Sequence, residues 1–379
     1  MANTSTQRFH GLDSLRATMM LLGLVLHSGV VYMAQSDSAI VSDPKSQSIA
    51  VGYLVFWIHA YRLPIFFLVS GFFSALLYFD RGPDTMITNR FKRLVLPFLV
   101  GWMLFVPLIA ILKAYANHAF DGYAGSWQQN LPVFDMKLYQ NTHHLWFLYY
   151  LALISFVFWG AAKILHNRNM SQFMTAFDYL VSRHTLAVVV FSIITSELLM
   201  RNHLPYLGTD TKILPNLSLL LTYTLFFGIG WGLFNARHLL QTFAEHTWRN
   251  LALGTAMFVI YAIVYINNPE YILLETVVYA ACTWFYVFGF LGFFIRYLDR
   301  ASPLIRYLSD SSYWMYLFHF ALVIGFAGLL AGQLWPGLVK FSVVTVLTFI
   351  VCLISYHWMV RSTFIGLFLY GKKIPRKSD

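Results

Sequence analysis

The sequence predicts an all-α integral membrane protein with about ten transmembrane helices and both termini in the cytoplasm. Three observations carry this expectation. Charged residues make up 11% of the chain and hydrophobic ones 58%, whereas a water-soluble domain carries about 25% charged residues, so most of the surface faces hydrocarbon. Apolar runs close to the length of a bilayer span recur from one end to the other. Lys and Arg also gather in alternate connections, as the excess of cations in cytoplasmic loops requires.

The predicted spans are 13–34, 51–79, 91–115, 143–165, 184–200, 213–235, 250–267, 271–296, 309–331 and 339–361. The second is long enough to be tilted, broken at Pro64 or Gly71, or partly re-entrant, and the fifth is short. With the N-terminus inside, all of the 26 Lys and Arg residues except Lys45, Arg62, Lys113, Lys137, Arg201, Lys212 and Lys340 fall on inner segments. A span count wrong by one scrambles that alternation. The formal charge of +10 is thus a matter of topology, and no nucleic acid is required. Cys282 and Cys352 lie inside apolar runs, which implies neither a disulfide framework nor a metal site. The first apolar run is too long for the core of a signal peptide and reads as a retained helix. Residues 1–379 read as a single membrane domain, with 372–379 as a short basic cytoplasmic tail.

Ionisable side chains within spans are costly, so each is a candidate functional residue. At about 100° per residue, Asp13, Arg16 and His27 share one face of the first helix. Arg16 sits near the cytoplasmic end, and His27 lies about 16 Å further along. Arg62 falls near the middle of the second span and needs an anion, a carbonyl or water as partner. His319 lies at matching depth in the ninth span, inside Ser311-Ser312-Tyr313-Trp314-Met315-Tyr316-Leu317-Phe318-His319. Arg90 and Arg93 open the third span. Three residues apart, they are neighbours at a helix N-terminus, where free N–H groups already favour phosphate. Glu197 and Glu275 fall toward outer ends of spans; His59 and His357 read as structural histidines.

The longest outer loop, 116–142, mixes aromatic rings with amides and carboxylates, including Asp121, Tyr123, Trp127, Gln128, Gln129, Asp135 and Tyr139. It runs into His143-His144-Leu145-Trp146-Phe147-Leu148. Rings stack on the apolar face of a sugar while polar groups bind its hydroxyls. Trp127, His144 and Trp146 of this stretch, with Glu197 from the outer end of its span, are the residues expected to contact a carbohydrate.

Five ordered segments carry a resemblance. They are Phe9-His10-Gly11-Leu12-Asp13-Ser14-Leu15-Arg16 leading to His27; Arg62-Leu63-Pro64-Ile65-Phe66-Phe67-Leu68-Val69-Ser70-Gly71-Phe72; Arg90-Phe91-Lys92-Arg93-Leu94 with Pro97; His144-Leu145-Trp146-Phe147-Leu148; and Ser312 to His319. They are ordered along nearly the whole chain, and on them the sequence resembles the membrane acyltransferase type 3 family. The resemblance implies a ten-helix bacterial inner-membrane enzyme that moves an acyl group from cytoplasmic acyl-CoA to a hydroxyl, usually of a glycan, at the outer face. Within the family it points to a group that succinylates osmoregulated periplasmic glucans. Arg16 and His27 match the family's arginine and histidine of the first helix, and Arg90 and Arg93 its basic pair.

The residues agree with that chemistry. Transfer from a thioester to an alcohol needs a base near neutrality, which histidine supplies. His27 is the expected base, with Arg62, Ser70 or Tyr313 stabilising the oxyanion and His319 orienting the acceptor or shuttling its proton. Arg16, Arg90 and Arg93, with Asp13 beside them, are expected to hold the CoA phosphates. No permanently bound cofactor and no metal are expected; acyl-CoA, succinyl before acetyl, is a substrate. The partners implied are the lipid bilayer, acyl-CoA and a glycan acceptor. Two alternatives stay open: O-acetylation of another envelope polysaccharide or lipid-linked sugar, and proton-coupled transport, which also uses midplane His, Arg and Glu.

Overall fold

The computed structural model describes residues 9–34, 41–122, 126, 128, 131, 137–165, 171–201, 206–267 and 272–371. Several of its helices begin at side-chain caps that the sequence supplies. Ser48 accepts from the Val51 N–H, Asn216 from Leu219 and Ser302 from Ile305, each giving an unsatisfied first-turn donor a partner. Pro303 follows Ser302 at a position where its missing N–H costs nothing.

The helices are α1 (His10–Tyr32), α2 (Ile49–Arg81), α3 (Pro83–Arg90), α4 (Leu96–Asp121), α5 (Trp146–Leu165), α6 (Ser171–Ser182), α7 (His184–Met200), α8 (Leu217–Asn235), α9 (Leu240–Glu245), α10 (Thr247–Asn267), α11 (Ile272–Leu298), α12 (Pro303–Leu329), α13 (Gly337–Ser355) and α14 (Phe364–Tyr370). Among the described residues nine helices are long and apolar enough to cross a membrane, and ten when the pair α6 and α7, bent through 109°, counts as one span. The protein is an all-α multi-pass membrane protein. The short fifth predicted span is the second arm of that bent pair.

Two expectations are corrected. The second span is one unbroken helix of 33 residues with Pro64 inside it. Gly71 does not break it either; it is a point of contact. A Cβ on Gly71 would stand 2.0 Å from the Phe227 carbonyl oxygen, and one on Gly230 of α8 would stand 1.8 Å from that of Leu68. The two backbones touch at two successive places, which only glycine permits.

The third span starts at Pro83 rather than at 91, because a π-turn, Phe91–Val95, joins α3 to α4 without a break. Its cause is local. The carbonyl of Arg93 would normally receive the N–H of residue 97, but residue 97 is proline. The Tyr313 hydroxyl donates to that carbonyl instead, at 2.5 Å, so the group is not left bare at membrane depth.

α1 packs against α2, α11, α12 and α13, and α12 against α1, α4 and α13. That places α1 and α12 side by side at the centre, each carrying a histidine. We call the end bearing Arg16, Arg90 and Arg306 the basic end. At the opposite end the segment before α2 is tied to α13 by a buried ion pair, Lys340 to Asp43 at 2.7 Å, with side chains 0% and 1% exposed. Lys340, a cation that topology did not account for, thus has a structural partner.

Candidate active site

Helical spacing brings the site together along α1. Arg16, Met20, Gly23 and His27 follow at intervals of four, three and four residues, so one stripe runs from the basic end toward the centre. At its start is a cavity of about 330 Å³ lined by Arg16, Met20, Phe66, Ser70, Asn89, Arg90, Arg93, Phe147, Leu148, Tyr313, Leu369 and Tyr370 among others. Such a volume is within the range of small-molecule sites. Asp13 pairs with Arg16 at 3.2 Å, and the Arg16 guanidinium lies over the Phe73 ring.

Arg90 and Arg93, expected to act as a pair at a helix N-terminus, differ from each other and from that expectation. The helix continues through them, and the Phe91 N–H is bonded to the Ile87 and Thr88 carbonyls. No ring of free backbone donors exists there, so any attraction for anions comes from the guanidinium groups. Arg93 donates to the carbonyls of Leu369 and Tyr370, capping the last turn of α14. Among the described residues Arg90 makes one long contact, 3.5 Å to the Ser70 carbonyl, and its Nε has no partner. Of the two, Arg90 is the guanidinium free to meet a phosphate.

At the inner end of the stripe Gly23 makes room for Arg62. A Cβ on residue 23 would stand 2.3 Å from the Arg62 guanidinium nitrogen. Among the described residues no ion pair involves Arg62, and both it and His27, one turn beyond Gly23, stay partly exposed within the bundle. The His27 ring lies 5.2 Å from that of His319 and 5.1 Å from Phe320. The His319 ring lies 5.4 Å from His144. Three of the predicted histidines therefore meet in one cluster, with unpartnered ring nitrogens at His27 Nδ1, His144 Nδ1 and His319 Nε2. Among the described residues no group of three or more His, Cys, Asp or Glu side chains is arranged to hold a metal.

Other predicted residues lie elsewhere. Tyr313 reaches the cavity, but its one hydroxyl hydrogen is committed to the Arg93 carbonyl, which leaves Arg62 and Ser70 as candidate oxyanion donors. Trp146 is 4% exposed and packs edge-on against Tyr150, inside the core rather than on an acceptor surface. Glu197 pairs with Arg201 at 3.1 Å with its side chain 63% exposed, and no contact links it to the histidines. Trp127 lies outside the described residues, as do residues 372–379.

Three participants were given no place in the site by the sequence, His59 having been read there as a structural histidine. Gly23 was legible only as the missing step between Met20 and His27. Tyr316, three residues before His319, donates to the His144 carbonyl at 2.8 Å. His59, one turn from Arg62 on α2, has an unpartnered buried Nδ1.

The arginine-lined cavity and the buried histidine cluster thus lie along one stripe of α1. Residues 9–357 match the family described as "Acyltransferase domain", the type 3 acyltransferases. The chain belongs to that family. It is similar along its whole length to proteins named "Glucans biosynthesis protein C": 23% identity to those of Escherichia coli strain SMS-3-5 and of E. coli O157:H7, over 98% of this chain and 97% of theirs. The protein of that name from E. coli O6:K15:H31 is 22% identical over the same shares. No solved structure matches. The protein is thus a membrane acyltransferase.

Proposed function

We propose that this acyltransferase takes its acyl group, succinyl before acetyl, from acyl-CoA at the cytoplasmic face of a bacterial inner membrane. It places that group on a hydroxyl of a glycan at the outer face, in the way the name of its relatives suggests for glucans. The observation that carries this reading is the stripe on α1, which joins the arginine-lined cavity to the histidine cluster. The rise from Arg16 to His27, about 16 Å, lets a long flexible arm keep phosphates at Arg16 and Arg90 while its thioester lies near Arg62.

The acceptor oxygen attacks the thioester carbonyl, a histidine takes its proton, and Arg62 stabilises the oxyanion. The C–S bond then breaks, and the leaving sulfur regains a proton from the histidine pair. His319 is the better base of the two. Its Nδ1 faces the carbonyls of Met315 and Tyr316 at 2.9 and 2.8 Å. That clamp fixes the tautomer and leaves Nε2 as acceptor, whereas His27 has no such anchor. His27, in line with Arg16 and Gly23 and 5.2 Å from the His319 ring, sits where the donor sulfur arrives; it takes the proton over from His319 and passes one to the sulfur, so both rings end neutral. With a succinyl donor, Arg62 also meets the distal carboxylate.

The test is transfer from labelled succinyl-CoA or acetyl-CoA to a glucan oligosaccharide by the purified protein in lipid nanodiscs, read by mass spectrometry. Product bearing the donor's acyl group in an Arg90-dependent reaction is the expected result. Absence of product with both donors ends this reading.

A further inference from the structure

Two of the three clustered histidines are held so that each presents an acceptor and no donor. In His319 the Nδ1 lies against two carbonyl oxygens, which only accept, so the ring hydrogen is there and the neutral ring has its lone pair on Nε2. In His144 the pattern is reversed. Its Nε2 lies 3.1 Å from the Leu317 carbonyl, so the lone pair is on Nδ1. The Tyr316 hydroxyl grips the His144 backbone from the same stretch of α12, and these two bonds fix the ring to the helix that carries His319. Just before it, His143 adopts φ of +46°, with its N–H held by Asn141 Oδ1 at 2.7 Å. That conformation is strained for a residue other than glycine.

Among the described residues both lone pairs are unpartnered, in residues 1% and 4% exposed, on rings 5.4 Å apart. Polar nitrogens buried so deeply are normally bonded. The chemical complement of two adjacent acceptors is two adjacent donors. A carboxylate or phosphate offers none and a simple alcohol offers one. An ammonium offers several but would bring a second positive charge toward Arg62. Neighbouring hydroxyls on one molecule supply two without charge.

Resting on the acyl-transfer reading above, we infer that His144 is a positioning residue for the acceptor and makes the enzyme select polyhydroxylated substrates. One hydroxyl gives its proton to His319 Nε2 as its oxygen bonds the acyl carbon and the C–S bond breaks. The neighbouring hydroxyl keeps its proton and donates to His144 Nδ1, which fixes which oxygen attacks.

The experiment compares two acceptors, a glucan oligosaccharide and cyclohexanol, in full-length wild-type protein and His144→Gln. Glutamine keeps an N–H in reach of the Leu317 carbonyl and removes the Nδ1 acceptor. The expected result is a KM for the oligosaccharide raised about tenfold, the loss of one hydrogen bond, with little change in kcat and none in transfer to cyclohexanol. Equal losses on both acceptors, or none on either, overturn the inference. Should the variant fail to insert, wild-type protein decides: a cyclic diol must compete with the oligosaccharide and cyclohexanol must not, and equal competition overturns the inference. Oligosaccharide binding is also measured without donor. A wild type whose binding weakens in His144→Gln, yet which transfers no acyl group, fails the acyl-transfer reading and leaves the acceptor contact standing.

Discussion

The basic-end cavity and the histidine cluster lie on the same stripe of α1, yet they treat their polar groups in opposite ways. At the cavity most cations already have an internal partner: Asp13 for Arg16, the α14 carbonyls for Arg93. In the cluster, among the described residues, ring nitrogens are left bare and no carboxylate pairs with Arg62. A site whose groups are pre-paired exchanges one partner for another, so each of its residues contributes modestly. A site of bare groups in a low-dielectric interior waits for its ligand, and each residue there matters more.

That contrast orders the expected effects of substitution. The largest belongs to His319→Gln, which removes the clamped lone pair. Initial rates of acyl transfer should fall about 10²- to 10⁴-fold in protein that still inserts, and a loss below tenfold would take the base role away from His319. Next comes Arg62→Met, with kcat down about 10²- to 10³-fold. If Arg62 also meets the succinyl carboxylate, the loss is greater with succinyl-CoA than with acetyl-CoA. Gly23→Val should mimic it, since the added side chain takes the place of the guanidinium.

Arg90→Gln should raise the KM for acyl-CoA about tenfold at nearly constant kcat, the loss of one charge-assisted contact. Arg93→Gln should change that KM by less than about threefold and lower the thermal midpoint instead, because its bonds go to α14. Equal KM effects for the two arginines would erase the distinction between them. The smallest effect is Glu197→Gln: its pair with Arg201 is exposed, and activity should stay within about twofold of wild type.

The spans were legible in the sequence because hydropathy and cation bias are properties of runs, which survive errors of a few residues. His27 and Arg16 were legible for a related reason, since both lie on one regular helix whose register arithmetic holds. Arg93 was not. Its guanidinium is committed to α14, whose chain returns from 276 residues away, and its carbonyl, left without an α-helical partner by Pro97, to Tyr313. Tyr313 was misread for the same cause: the hydroxyl that seemed free for catalysis satisfies the gap left by that proline. Trp146 shows a different limit. An aromatic residue at the start of a span looks the same in sequence whether it faces a sugar or another helix, and only packing tells them apart.

The twin glycine contacts of α2 and α8 bear on how the proposed reaction would carry an acyl group across the membrane. Sliding or rolling one helix on the other would drive Gly71 away from Phe227, or carry bulkier neighbours into the carbonyls it now clears. α2 is in effect riveted at two points, and Arg62 lies about two turns from the nearer of them. In the proposed reaction the acyl group thus crosses past a stationary wall: the donor's arm travels, and Arg62 keeps its depth.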